Sequence, residues 1–340
     1  MTKKLFTLIA VLLSAYAEGS LAACLGGQRD VYVDVPLSNV AVMAFNQGTF
    51  VGPRLFPVVP VDKQSGVYPV ITDTDWLRLP QSTTRPPKTA PRRVSFTITS
   101  DQYNAINYAL AGDNSIEDLS NAMNAIRLRQ NTARFVVSQL AGDMEARIAN
   151  KVTSITNIGS GVVLAAGSRW SNYANSDPIA DISTGHAFIR NNTGVRANTL
   201  LLDYDTRRIV RRHPVLLDLY KYTEGGFLTD AQLMEVFDVQ NILIGDAIRE
   251  NSKEGGTSSI TNVWGNVALL CYVAGQAPSP ETMTFGLGFR WTPEGAPAAM
   301  QARTYMDPDP GKKCEVTEVG YYQDEKIVAR KLAYAVTSTL

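Results

Sequence analysis

The side chains that most often carry out chemistry in proteins are scarce in this sequence. Its 340 residues contain two histidines and three cysteines, which are His186, His213, Cys24, Cys271 and Cys314. The cysteines are too few and too widely spaced for a disulfide scaffold or a zinc site. Neither histidine has an evident serine or cysteine partner, so the sequence does not predict a histidine-based catalytic triad.

The other candidate sites are equally weak. Cys271 lies within an apolar run, which favours a buried, inert thiol. Asp307, Asp309 and Lys312 share a proline-marked turn, but their spacing does not fit a calcium loop. The glycine- and serine-rich bend at 159–168 lacks the lysine and the strand–helix setting of a phosphate loop, which favours a simple turn. We therefore predict a protein that is not an enzyme, with no catalytic residue, cofactor or metal site.

Composition favours a structural role. The chain has 32 basic and 32 acidic residues, is 45% hydrophobic and is 19% charged. These values argue against a disordered chain and against a binder of nucleic acid with one basic face. The length is sufficient for about two domains with a large core.

The amino terminus allows two interpretations. Lys3 and Lys4 precede an apolar run over 5–17, and the residues before Cys24 resemble the lipobox of a bacterial lipoprotein. One interpretation is an export signal, and the other is an apolar arm or a stretch translated from an early start codon. The run is shorter than the roughly 20 residues that a membrane-spanning helix needs.

The next hundred residues contain segments that cannot bury themselves. Prolines in 31–62 prevent a continuous helix or a central strand, which predicts an extended arm. Residues 67–72 and the alternating apolar positions in 94–99 then predict a hairpin. Residues 76–100 are proline-rich and contain no acidic residue, and they carry Arg78 and the four cations on which we place a contact with another surface, Arg85, Lys88, Arg92 and Arg93. A solvated loop is the alternative.

A long helix and a region of alternating strands and helices follow. Ser115 and Asp118 are spaced as a helix cap, and apolar residues recur at three- and four-residue steps as far as Met144. This predicts a helix over 115–150 that packs on a sheet of the same chain. Between 177 and 300, buried strands are predicted at 200–202, 241–244 and 267–271, and Asp205 and Thr229 are predicted helix caps.

One basic group in this region has several interpretations. Arg207, Arg208, Arg211 and Arg212 follow Asp205 in a short predicted helix. They could face DNA, an intersubunit contact near a symmetry axis, or solvent, and the sequence does not separate these alternatives.

Several stretches resemble the major capsid protein of tailed bacteriophages, the Hong Kong phage coat fold. They are VPLS at 35–38, LFPVVPV at 55–61, NTLLL at 198–202, RHP at 212–214, VQNILIG at 239–245 and YYQDEKIVA at 321–329. Each motif alone is loose, and their order over 30–340 is more specific. Residues 1–29 depart from the family, which does not use export signals.

The resemblance implies an α+β capsid fold with six segments. They are the apolar segment 1–29, an N-terminal arm at 30–60, an extended β-hairpin loop at 61–100, a peripheral domain with the spine helix at 101–176, an α/β axial domain at 177–300, and return strands to the peripheral domain at 301–340. The family uses the arm and the loop to overlap a neighbouring subunit.

The implied function is a coat protein that assembles into the hexamers and pentamers of an icosahedral phage head around double-stranded DNA. Its expected partners are other copies of itself, scaffolding and portal proteins, and packaged DNA through non-specific contact, without stable membrane association. The expected location is the virion, after assembly in the host cytoplasm. The alternatives are an exported lipoprotein or envelope binding protein anchored through Cys24, and an α/β enzyme, which the scarcity of titratable groups disfavours.

Overall fold

The computed structural model describes residues 50–340 except 72–77, 81, 96, 122–124, 221–226, 254, 276–277, 294–299 and 310. Its helices are α1 Gly52–Leu55, α2 Ile116–Asn121, α3 Ala125–Val152, α4 Ile155–Ile158, α5 Pro178–Thr193, α6 Tyr204–Val210, α7 Pro214–Leu219 and α8 Asp230–Val236. Its strands are β1 Val58–Val61, β2 Ser65–Ile71, β3 Ile98–Asn104, β4 Ile106–Ser115, β5 Gly161–Val163, β6 Thr199–Asp203, β7 Asn241–Gly245, β8 Ile248–Glu250, β9 Ile260–Asn262, β10 Val267–Cys271, β11 Gly286–Trp291, β12 Met300–Met306, β13 Cys314–Ile327 and β14 Ala333–Thr337. The predicted α+β class is confirmed.

The first sheet is organised around β13, the longest strand. One edge of β13 pairs with β12 and then with β11, while β4 pairs antiparallel along its other edge from Ser115 to Ile106. β1 adds to β11 in parallel. A strand of 14 residues can hold three partners because successive residues direct their hydrogen-bonding groups to alternate edges, and β11 and β12 share one edge end to end.

The helix α3 packs on β4 and β13, as its apolar spacing predicted. Ala133, Val137, Leu140 and Met144 are buried along one side of it. The predicted cap is confirmed as well, since the backbone amide of Asp118 donates to the Ser115 hydroxyl at 3.0 Å. The helical stretch begins at 116 in α2 and continues in α3 from 125 to 152.

Two ion pairs fix the direction of α3 along β13. Arg129 makes two hydrogen bonds to Glu315, at 2.5 and 2.6 Å, and Arg147 donates to Glu325 at 3.0 Å. The arginines are about 27 Å apart along the helix axis, and the glutamates are about 33 Å apart along the strand. Helix and strand therefore run side by side in the same direction.

The second sheet has the order β5-β14-β10-β6-β7 and contains the predicted strands at 200–202, 241–244 and 267–271. All residues of β6 and β10 are buried, as expected for central strands. The helix α5 packs on β10 and β14, and Gly185 allows close approach because an added Cβ would lie 2.9 Å from Tyr334.

Three local expectations differ from the structure. Asp203, and not Asp205, caps α6, because its extended backbone places a carboxylate oxygen 3.2 Å from the Asp205 amide. The second hairpin strand begins at Ile98, and Val94 lies before it with 80% of its surface exposed. Residues 301–340 do not all return to the first sheet, because β14 pairs with β10 and β5 in the second.

Some expectations fall outside the described residues. The apolar segment 1–29, Cys24 and the arm as far as residue 49 belong to this group. Within the described residues, no helix combines the length and apolar character needed to cross a bilayer.

Candidate intersubunit surface

The predicted hairpin is formed by β2 and β3, which pair antiparallel from Ser65–Asn104 to Ile71–Ile98. Two tyrosines on one face attach its base to the first sheet. The ring of Tyr103 stacks on Phe289 at 4.8 Å, and the ring of Tyr68 lies 4.9 Å from the same phenylalanine. The Tyr68 hydroxyl also donates to Asp101 at 2.9 Å, and burial raises the pKa of this tyrosine. These contacts therefore attach the base of the hairpin to the first sheet.

Elsewhere on the hairpin, the described part of the chain leaves several apolar side chains exposed. Val67 and Ile98, on the two strands, expose 61% and 56% of their surfaces, and Leu79 exposes 87%. A satellite cluster beneath the base buries Val59, Leu287 and the two aromatic rings of Tyr68 and Phe289, and the partly buried Val70 packs against it. Apolar side chains displayed along a projecting hairpin are typical of a surface that another molecule covers.

The tip is shaped by a turn at Pro86–Thr89. The Thr89 amide donates to the Pro86 carbonyl oxygen at 3.4 Å, and the guanidinium of Arg85 donates to the Thr89 carbonyl at 2.7 Å. Lys88 has a φ of 63°, the left-handed value of the second central residue in a type II turn, where glycine or asparagine is usual. This turn presents the lysine side chain outward.

All four predicted contact residues are exposed at this tip, and none forms an ion pair with another described residue. They are Arg85, Lys88, Arg92 and Arg93. The surrounding stretch from 76 to 100 has no acidic residue. Their charges therefore repel one another across a stretch of less than ten residues, and an acidic surface would relieve this repulsion.

The buried carboxylate of Glu145, which the sequence analysis did not single out, binds the backbone of Val51 and Gly52 to the helix α3. Glu145 of α3 accepts hydrogen bonds from the amides of Val51 and Gly52, at 3.1 and 2.7 Å, and from the Trp264 indole at 2.7 Å. No cation pairs with it among the described residues, and burial raises its pKa. This anchor joins the amino-terminal segment, the spine helix and the loop before β10.

The histidines act as structural donors. His213 is buried, and its Nε2 lies 2.9 Å from the Ser176 hydroxyl, a partner that the sequence did not indicate. The Ser176 hydroxyl donates its one proton to the Asn172 carbonyl at 2.7 Å, so it accepts from the imidazole. Burial also lowers the pKa of His213. This pair fastens a loop and does not activate a nucleophile.

The remaining candidates have structural surroundings. His186 contacts the Phe237 carbonyl oxygen through Nε2 at 2.8 Å, and Cys271 is fully buried in β10. Asp307 forms an ion pair with Lys312 at 3.8 Å, and no group of three or more metal-ligating side chains occurs among the described residues.

Comparisons with known proteins agree with this arrangement. The sequence is 28% identical over 268 residues to the major capsid protein of Burkholderia phage BcepMu, covering 76% of this chain and 83% of that protein. The structure is similar to a phage-related protein from Bordetella bronchiseptica, with a TM-score of 0.72, 24% identity, and coverage of 92% of this chain and 98% of the other. It is also similar to the capsid of Cyanophage P-SCSP1u, with a TM-score of 0.53, 9% identity, and coverage of 83% and 86%.

No protein-family model matches the sequence. The agreement extends over most of the chain in both sequence and structure. The chain therefore has the fold of tailed-phage capsid proteins, and the resemblance to phage major capsid proteins that its sequence indicated is confirmed.

Proposed function

We propose that this chain is a major capsid protein whose copies assemble, as hexamers and pentamers, into an icosahedral phage head around double-stranded DNA. The observation that carries the proposal is the β2–β3 hairpin, whose apolar side chains and basic tip are exposed, with no ion pair at the tip among the described residues. During assembly, a neighbouring copy of the chain can pack against this hairpin and bury its exposed side chains. Many modest contacts of this kind close a shell because they act together.

The finer features belong to the same proposal. The basic tip, with Arg85, Lys88, Arg92 and Arg93, docks on an acidic surface of an adjacent copy. Scaffolding and portal proteins are further partners, DNA makes non-specific contacts, and the protein assembles in the host cytoplasm before it resides in the virion. Likeness to phage coat proteins does not favour the alternative of a lipoprotein or envelope protein anchored through Cys24.

Charge reversal at the tip tests the contact. The double variant Arg92→Glu, Arg93→Glu changes the charge of the tip by four units, and we expect at least a tenfold loss of assembled particles, measured by sedimentation and negative-stain electron microscopy. Both side chains are exposed and make no ion pair within the described chain, so the thermal midpoint of the unassembled protein should stay within about 2 °C.

The matched control is Arg92→Lys, Arg93→Lys, which retains both charges and should assemble normally. Shells of normal yield and shape from the glutamate variant would refute the docking role of the tip. Failure of the wild-type chain to form any particle, alone or with its neighbouring gene products, would refute the coat function itself.

A further inference from the structure

A pocket in the second half of the chain is lined by arginines and aromatic rings. It has a volume of about 210 Å³, and its lining residues are Tyr204, Arg207, Arg208, Arg211, Arg212 and Phe227. Pockets that hold drug-sized ligands usually have roughly 300 to 1,000 Å³. This smaller, strongly basic space suits a compact anionic group.

The pocket follows from the spacing of the arginines on α6 and the turn after it. Arg207 and Arg211 are four residues apart, as are Arg208 and Arg212, so the two pairs lie on adjacent rows of the same helical side. Like charges at this spacing destabilise a helix. An anion that binds between the two rows would reduce this repulsion and so stabilise the helix.

Two of the four arginines are neutralised by the chain itself. Arg207 donates twice to Asp230, at 2.9 and 2.6 Å, and Arg208 lies 3.6 Å from Asp205. Acidic partners therefore account for two of the four positive charges, and the Arg207–Asp230 pair holds α6 against the start of α8.

Arg211 and Arg212 form no ion pair with an acidic residue in the described part of the chain. The Nε of Arg211 donates to the Leu228 carbonyl at 2.5 Å, and the Arg212 guanidinium lies 4.8 Å from the centre of the Phe227 ring. These contacts orient both guanidinium groups, and no described carboxylate compensates their charges. Oriented, uncompensated guanidinium groups are well suited to phosphate, which they contact through paired hydrogen bonds.

Two exposed aromatic rings lie at the rim of the pocket. Tyr204 and Phe227 expose 46% and 62% of their surfaces. An exposed ring beside a phosphate position can stack on a nucleobase of any identity. From the positive charge of the pocket, its small volume and the aromatic rings at its rim, we infer that it binds the phosphate of a nucleotide, either free or within a DNA strand. The pocket lies within one copy of the chain, so this inference does not rest on the proposed coat function.

Titration of the unassembled full-length protein tests the inference. The probes are inorganic phosphate, tripolyphosphate, ATP in the presence of EDTA, and a fluorescent 20-base-pair duplex, measured by calorimetry and by anisotropy at about 0.1 M salt. We expect one tripolyphosphate per chain, bound at least tenfold more tightly than inorganic phosphate. Tighter binding of ATP would identify a free nucleotide, whereas preferential binding of the duplex would identify a strand.

Variants separate the pocket from general charge. Arg212→Ala should weaken the preferred probe about tenfold, because it removes a charge-assisted contact. Arg249→Ala, which removes an exposed arginine on β8, should change the affinity less than twofold. Arg212→Lys keeps the charge without the planar fork and should give an intermediate affinity.

Three results would overturn the inference. The first is the absence of saturable binding for every phosphate probe, and the second is equal weakening of binding by Arg212→Ala and Arg249→Ala. The third is an Arg212→Ala protein that binds phosphate normally and fails to assemble, which would assign the pocket to acidic side chains of a neighbouring copy.

Discussion

The attachment of the spine helix to β13 depends on Glu325, and removing its charge gives the most informative test of the fold. The carboxylate is 1% exposed and receives Arg147 at 3.0 Å, Lys151 at 3.7 Å and the Gln323 amide at 3.2 Å. Burial disfavours the charged guanidinium of Arg147, yet the hydrogen bond and charge of Glu325 outweigh it, so the pKa of Arg147 is raised. The variant Glu325→Gln keeps the shape and deletes the charge.

The structure sets the expected cost. Loss of one partner from a buried ion pair typically costs about 3 to 5 kcal/mol, because the other charge stays buried without compensation. Arg147 retains Asp143, the Tyr321 hydroxyl at 3.1 Å and the Tyr108 ring at 3.6 Å. We therefore expect a decrease near the lower limit, about 3 kcal/mol in the free energy of unfolding.

Urea unfolding of the unassembled protein, followed through the fluorescence of the buried Trp170 and Trp264, measures this loss. A cycle with Arg147→Met and the double variant should give a coupling energy of about 1.5 kcal/mol or more. Glu315→Gln is the matched control, with an expected cost of about 1 kcal/mol, because its partner Arg129 is 39% exposed. A cost below about 0.5 kcal/mol for Glu325→Gln, with no coupling, would refute the reasoning.

Two further predictions concern the cores of the two sheets. Gly286→Ala should destabilise the protein by about 1 to 3 kcal/mol, because the new Cβ would lie 2.5 Å from the buried Phe56 ring. Gly142→Ala, in α3 with nothing within 4 Å, should instead stabilise it by about 0.5 to 1 kcal/mol, and the same sign for both in urea titrations would contradict this. Burial raises the pKa of Asp203 to about 6, so its contribution to stability is present below pH 4 and is lost as the pH rises through 6. The difference in unfolding free energy between wild type and Asp203→Asn should therefore change by about 1 to 3 kcal/mol between pH 4 and pH 8, whereas a constant difference would exclude this role for Asp203.

Features that depend on neighbours in sequence were predictable. The Ser115 cap, the apolar side of α3, the buried strands β6 and β10, and the capping box of Thr229 with Gln232 all appear in the structure. The strand predicted at 241–244 also forms, as β7, but it is an edge strand and only partly buried. The hairpin and its basic tip were also predictable, because alternating residues mark strands and prolines exclude the middle from the ladder. Each of these signals acts over a few residues.

Contacts between distant segments were not predictable. Ser176 meets His213 across 37 residues, and Glu145 meets Trp264 across 119, although neither pair is marked by spacing or residue type. The same is true of the division of the last strands between two sheets, with β13 in one and β14 in the other. A buried polar group needs a hydrogen-bond partner, and that partner can belong to any segment that packs against it. These pairings therefore depend on the tertiary packing and not on spacing along the chain.

The four arginines after Asp205 illustrate which properties the sequence determines and which depend on the tertiary structure. The sequence by itself determined that the four arginines lie close together in and directly after a short helix, because their spacing along the chain is that of one helical turn. Only the tertiary structure decided their roles, since Asp230 approaches Arg207 from 23 residues away and Phe227 closes the pocket beside Arg212. Local geometry fixes where charges stand along the chain, whereas the charges that remain uncompensated depend on which distant groups fold against them.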